Sequence, residues 1–164
     1  MNISLASYSF NRLITSGKMD VFGYLESCKY RYRLDTADIW NGLMRSTDLD
    51  YARKVREAVD DRGMTVVNYH VDGVHVWEAD LAKREHNFQQ AQAHLRVAEI
   101  LGAKTVRIDT GGTVTAMTAE QLDVVAVRFR EYARWADGLG VRSGPGTHWG
   151  FSVMIDNMER IARA

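Results

Sequence analysis

The sequence predicts an α/β fold built on a parallel sheet, on three observations. Apolar stripes at helical spacing alternate with short β-favouring runs. Each of the three clear helices closes on a glycine, and those glycines, Gly63, Gly102 and Gly140, recur 39 and 38 residues apart. Glycine after a last helical turn takes the left-handed conformation at no steric cost. Strands separated by helices pair parallel through right-handed crossovers. Two architectures satisfy that rhythm: a small open doubly wound sheet and a (β/α)8 barrel. The chain has 164 residues, whereas a closed barrel typically takes about 250. Length alone therefore favours the open sheet, and a barrel would be represented by about its first five βα units.

The elements follow in order along one domain, residues 1–164. Ile3–Ala6 and Thr36–Trp40 are the first two β runs. A helix carries Ala52, Val55 and Val59 behind the capping candidates Thr47 and Asp48. Met64–Tyr69 is the third β run. A helix with Phe88, Ala91, Leu95 and Ala98 leads to the fourth, Lys104–Ile108. The next helix draws its stripe from Leu122, Val125, Phe129, Tyr132, Ala136 and Leu139. Thr118 with Gln121 three residues on is its capping box. The weaker run Val141–Ser143 is the fifth, and a short helical segment with Ile155, Met158 and Ile161 follows Ser152.

Composition narrows the function classes. Hydrophobic residues make up 46% and charged ones 26%, as in an ordinary globular domain. Twenty-one basic residues balance 21 acidic ones, which removes the electrostatic case for nucleic acid or an anionic membrane. The one cysteine, Cys28, excludes an internal disulfide and fits a reducing compartment. The first ten residues lack the charged start and apolar run of a secretory signal. No apolar stretch reaches the ~18 residues of a membrane helix. A cytoplasmic location is the expectation.

In either architecture chemistry gathers at the C-terminal strand ends. After the first run stand Tyr8 and Phe10, aromatics able to wall a small polar ligand or to cap the core. After the second stand Trp40 and Asn41, a pair suited to stacking on and hydrogen bonding a polyol. After the third, "NYHVDGVHVWEAD" holds His70, Asp72, His75, Glu78 and Asp80. These are ligand types for Zn, Mn or non-haem Fe; His70 lies nearest the strand end and ranks first. Asp109 ends the fourth run. The fifth run enters "VRSGPGTHWGF", residues 141–151. As a dinucleotide loop this is weak. Its strand is short, His148 and Trp149 are bulky where pyrophosphate must approach, and the fingerprint normally opens the first unit.

The order and spacing of "ISLASYSF", "TADIW", "NYH", "AEILGAKTVRIDTGG" and "LGVRSGPGTHWGF" resemble the sugar phosphate isomerase/epimerase superfamily. These are the xylose-isomerase-like TIM barrels that include the endonuclease IV branch (AP endonuclease family 2). The resemblance spans essentially the whole chain. It implies a (β/α)8 barrel, here its N-terminal part, with a divalent metal (Mn, Mg or Zn) at the mouth and metal-assisted proton transfer next to a carbonyl. In similar proteins the fifth strand ends in a Glu-Asn-His-like or Glu-Thr-His-like triplet. His148 matches the histidine and Thr147 the middle position. Gly146 occupies the place of the glutamate ligand, so the family's metal site is not expected to be complete here. Ligands from strands six to eight would lie beyond Ala164.

The expectation that follows is an isomerase- or epimerase-like protein on a sugar-like substrate, impaired by what it lacks. His148 and His70 are the candidate catalytic residues. Tyr8, Phe10, Trp40, Asn41, Asp109 and Trp149 are the candidate substrate contacts. The alternatives are a lyase acting on a glycoside-like compound and a non-catalytic sugar- or partner-binding module. Unpaired sheet edges in a partial barrel predict self-association or pairing with another chain.

Overall fold

The computed structural model describes residues 3–164; Met1 and Asn2, the start of the stretch read above for a secretory signal, lie outside it. One sheet contains β1 (Thr36–Trp40), β2 (Thr65–Val71), β3 (Thr105–Ile108) and β4 (Arg142–Pro145). Its spatial order is the chain order, and all three pairings are parallel. A doubly wound sheet reverses its order at a switch point. No reversal occurs here, so the open-sheet alternative falls, and the strands form an arc of barrel wall.

The helices are α1 (Asn11–Thr15), α2 (Val21–Glu26), α3 (Leu49–Asp61), α4 (Leu81–Leu101), α5 (Ala119–Gly138) and α6 (Ile155–Arg163). Helices α3, α4 and α5 bury the stripes anticipated from their spacing: Ala52, Val55 and Val59; Ala91, Leu95 and Ala98; Val125, Phe129, Tyr132 and Ala136. Both bonds of the Thr118–Gln121 capping box are present, at 3.2 and 2.9 Å. Gly102, with φ 63°, ends α4 in the left-handed conformation, where a Cβ would be strained. Helices α1 and α2 were not visible as periods, because five or six residues complete fewer than two turns.

The first β run is a correction. Among the described residues, Ile3–Ala6 runs beside β1 but makes only the single bridge Ala6 to Asp38. Side chains take the backbone groups that a ladder would have used. Thr36 Oγ1 donates to Ile3 O at 2.7 Å, Tyr24 Oη donates to Leu5 O at 2.6 Å, and Trp40 N donates to Ser7 Oγ at 2.8 Å.

Alternation along the strands separates two faces. Ala37, Ile39, Val66, Tyr69, Val71, Val106 and Ile108 are buried at 2% exposure or less and belong to the core shared with the helices. Asp38, Asn68 and Thr105 lie in register on the other, inner face, and so do Trp40, His70 and Arg107. A register shift between Ala37 and Asp38 skips Val67. Without that bulge, Asn68 and His70 would share a face with Val66.

Candidate active site

Strand alternation decides which side chains meet at the barrel mouth. Val71 and Ile108 face the helices, so Asp72 and Asp109, one residue further on, turn inward. His148 reaches the same place from the loop after β4. Ligand-type atoms of Asp72, Asp109 and His148 all lie within 4.8 Å of one another. Arg107 comes up from the inner face of β3; its guanidinium pairs with Asp72 Oδ1 and touches Nδ1 of His148. His148 Nε2 is 3.9 Å from the same Asp72 oxygen.

Two neighbours position the acidic residues, one through the backbone and one through the carboxylate. Asn41 uses both ends of its amide on the Asp72 backbone, donating to Asp72 O at 3.0 Å and accepting from Asp72 N at 3.1 Å. Gly73 N donates to Asp109 Oδ2 at 3.3 Å. Asp109 is only 4% exposed, and its other oxygen, Oδ1, is buried without a hydrogen-bond partner among the described residues. Burial pushes the Asp109 carboxyl above its usual range and the charge of Asp72 adds to this. The Gly73 N–H, Arg107 and His148 pull the other way without cancelling it.

Gly146 has a specific steric role. A Cβ at this position would stand 2.9 Å from Arg107 Cδ and 3.1 Å from Cγ. The stem of Arg107 therefore crosses the space that a glutamate side chain would claim. At this mouth, a cationic side chain from β3 stands where the resemblance places a carboxylate from the next strand.

The remaining candidates are distributed more widely. His70 Nε2 lies against Asp38 Oδ1, at ion-pair proximity but without hydrogen-bond alignment, and both atoms are otherwise unpartnered. This pair sits on the inner face, one layer below Asp72. Tyr8 meets Trp40 edge-on, with centroids 5.1 Å apart. Phe10 packs near Tyr24 and Tyr32, at 6.0 and 6.2 Å. Trp149 turns away from the cluster and stacks on His75 at 4.5 Å. Sequence reasoning passed over Arg107 and ranked Asp72 behind His70. The signal for Arg107 was available: it is the charged residue between the apolar Val106 and Ile108, the mark of an inner-face position.

Two carboxylates and an imidazole are a donor set that suits a small divalent ion such as Mg, Mn or Zn. The unpartnered Oδ1 of buried Asp109 fits such an ion. Arg107 holds positive charge at the same spot, so the ion and the guanidinium compete for Asp72. A wider groove of about 690 Å³ lies between α4 and α5, lined by Gln92, Arg96, Arg134 and Trp135, on the helix layer and remote from the strand ends. No helix among the described residues is long and apolar enough to cross a membrane.

Comparison with known proteins places this mouth in context. No curated protein matches the sequence. The fold is similar to the probable 3-DHS dehydratase AsbF of Bacillus anthracis, with a TM-score of 0.76 at 10% identity, covering 99% of this chain and 58% of that one. It is similar to a xylose isomerase-like TIM barrel protein of Mycobacterium smegmatis, solved in complex with magnesium. There the TM-score is 0.64 at 14% identity, covering 88% and 53% of the two chains. It is also similar to the 3-keto-D-glucoside 4-epimerase YcjR of E. coli, with a TM-score of 0.62 at 15% identity, covering 77% and 50%. The chain thus spans between half and three-fifths of these structures. The sequence matches the family described as xylose isomerase-like TIM barrel over residues 32–164, and with that match and the sequential parallel arc of its sheet, the chain belongs to this family.

Proposed function

We propose that the mouth built by Asp72, Arg107, Asp109 and His148 performs proton transfer next to a carbonyl on a sugar-like substrate. The observation that carries this reading is the convergence of two carboxylates, an imidazole and a guanidinium at adjoining strand ends. His148, half exposed and at the rim, takes or returns the proton at its imidazole. Arg107 opposes the negative charge that develops on the carbonyl oxygen as the proton leaves. Asp72, clamped by Asn41, orients Arg107. The buried Asp109, its carboxyl raised by burial, tolerates a proton.

A divalent ion bound by the carboxylates of Asp72 and Asp109 would supply Lewis-acid polarisation of the substrate oxygens and leave the His148 imidazole to move the proton. His70 with Asp38 lies beneath and supports the floor of the site. The glycine at position 146 supplies no carboxylate, so turnover is expected to fall below that of relatives carrying one. The same reading has another copy of the chain cover the free edge of β4, and light scattering that reports only monomer removes that part.

The test is solvent-deuterium incorporation into a panel of keto- and aldo-sugars, followed by NMR, with and without Mn²⁺. Incorporation by the wild-type protein that is lost in His148→Ala and Asp109→Asn is the expected result. No incorporation with any sugar, or incorporation unaffected by both substitutions, overturns it.

A further inference from the structure

A second arrangement lies outside the mouth, on the loop between β2 and α4. His75 Nδ1 and Glu78 Oε1 are 2.6 Å apart, and the imidazole stacks on Trp149 at 4.5 Å with an interplanar angle of 18°. The loop is tied down from several sides. Asn87 Nδ2 donates to His75 O at 3.0 Å, and Arg84 Nε donates to Glu78 O at 2.7 Å. Val76 N and Trp77 N donate to the carbonyls of Asp109 and Thr110 at 3.1 and 2.8 Å. Neighbouring loops interlock just as closely. A Cβ at Gly111 would run into the Trp77 carbonyl, one at Gly112 into the Phe151 ring, and one at Gly150 into the Gly111 carbonyl.

This rigidity fixes the chemistry of the imidazole. Nδ1–H donated to a carboxylate leaves Nε2 as a bare acceptor, and stacking on the indole sets its direction. Nε2 of His75 makes no hydrogen bond among the described residues. His75 lines an open cavity of about 330 Å³ together with Trp77, Trp149, Thr113 and Gln121, with the buried Phe151 at its base. That volume lies at the lower end of small-molecule sites, about 300–1,000 Å³. Gln121 Oε1 already accepts from Thr118 N in the capping box, so its amide N–H groups remain as donors. The charge of Glu78 is engaged by His75, and that of Arg84 lies over the Trp77 ring at 4.0 Å. What the cavity offers is apolar aromatic surface, one fixed acceptor, and neutral donors.

We propose that this cavity is a second small-molecule site that takes a neutral, hydroxylated ring of monosaccharide size. A ring hydroxyl donates to His75 Nε2, and the Gln121 amide donates to a neighbouring one. The Thr113 hydroxyl, already 3.1 Å from Thr115 Oγ1, keeps acceptor capacity for another, and the indoles pack the apolar face. The site shares no side chain with the Asp72–Asp109–His148 cluster, so it stands whether or not the mouth turns over a substrate.

The test is NMR of the histidine ring and indole resonances during titration with methyl β-D-glucopyranoside and with myo-inositol. Shifts at His75, Trp77 and Trp149, retained in Asp109→Asn, are the expected result. Glu78→Leu, which removes the acceptor that fixes the tautomer, and Thr113→Val, at the exposed edge, are each expected to weaken binding about tenfold. Shifts confined to His148 and His70, binding of tetramethylammonium in place of both polyols, or no shift at all overturns the proposal.

Discussion

The two faces of the sheet make opposite use of the same strands. On the outer face, Ala37, Ile39, Val66, Val106 and Ile108 are sealed against the helices at 2% exposure or less. On the inner face, Trp40 Nε1, Arg107 Nε and Asp109 Oδ1 are buried without hydrogen-bond partners among the described residues. Leaving such groups unpaired costs stability. The outer face therefore holds the fold together, while the inner face carries unsatisfied polar groups at the fold's expense. The contrast indicates where substitutions act on stability and where they act on ligands.

The largest expected break is Ile108→Ala. It opens a cavity in the fully buried outer layer and is expected to cost about 2–5 kcal/mol in chemical denaturation. Next is His94, buried in the helix layer with its Nδ1 2.9 Å from Tyr69 Oη. Burial lowers its pKa from 6.5 to about 4. Because the folded value lies below the unfolded one, the stability it contributes is complete above pH 6.5 and is lost as pH falls through about 4. The loss is about 3 kcal/mol, read from denaturation midpoints across that window. His94→Gln should flatten that part of the profile.

Arg107→Met sharpens the inner-face side of the comparison. Freeing Asp72 from the guanidinium is expected to raise Mn²⁺ affinity roughly tenfold by calorimetry, and unchanged affinity shows that the two cations do not compete. Glutamate at 146 is expected to need this change first, since its stem would meet Arg107. The smallest effect is expected at Thr105→Val, which removes the hydroxyl bonds to Val67 O and Asn68 Oδ1 at 3.0 and 2.8 Å. On this exposed inner-face position the cost should stay near or below about 1 kcal/mol.

Much of the fold was legible from local chemistry. The stripes of α3, α4 and α5, the Thr118 cap and the glycine stops all report interactions within a few residues, which spacing reveals. Helices α1 and α2 were too short to show a period. The first β run has β-favouring residues, yet its carbonyls went to Thr36 and Tyr24, and no local pattern announces a partner some twenty to thirty residues away. The site divides in the same way. The places of His148 and Asp109 beyond strand ends were legible because strand ends are predictable. The pairing of Arg107 with Asp72 was not, because it depends on which face each strand turns inward, and the bulge at Val67 adjusts that for β2.

By itself, then, the sequence determined the alternation of strand and helix, the apolar faces that must be buried, and the strand ends beyond which the candidate site residues stand. Tertiary structure alone decided the sequential order of the strands and the convergence of Asp72, Asp109 and His148. It also set the crossing of Arg107 over Gly146 and turned His148 and Trp149, neighbours in the chain, toward separate sites. The physical reason is range. Helical period and capping act over three or four residues, whereas these contacts join side chains 35 to 76 positions apart, whose meeting depends on strand register and on the packing of the outer face.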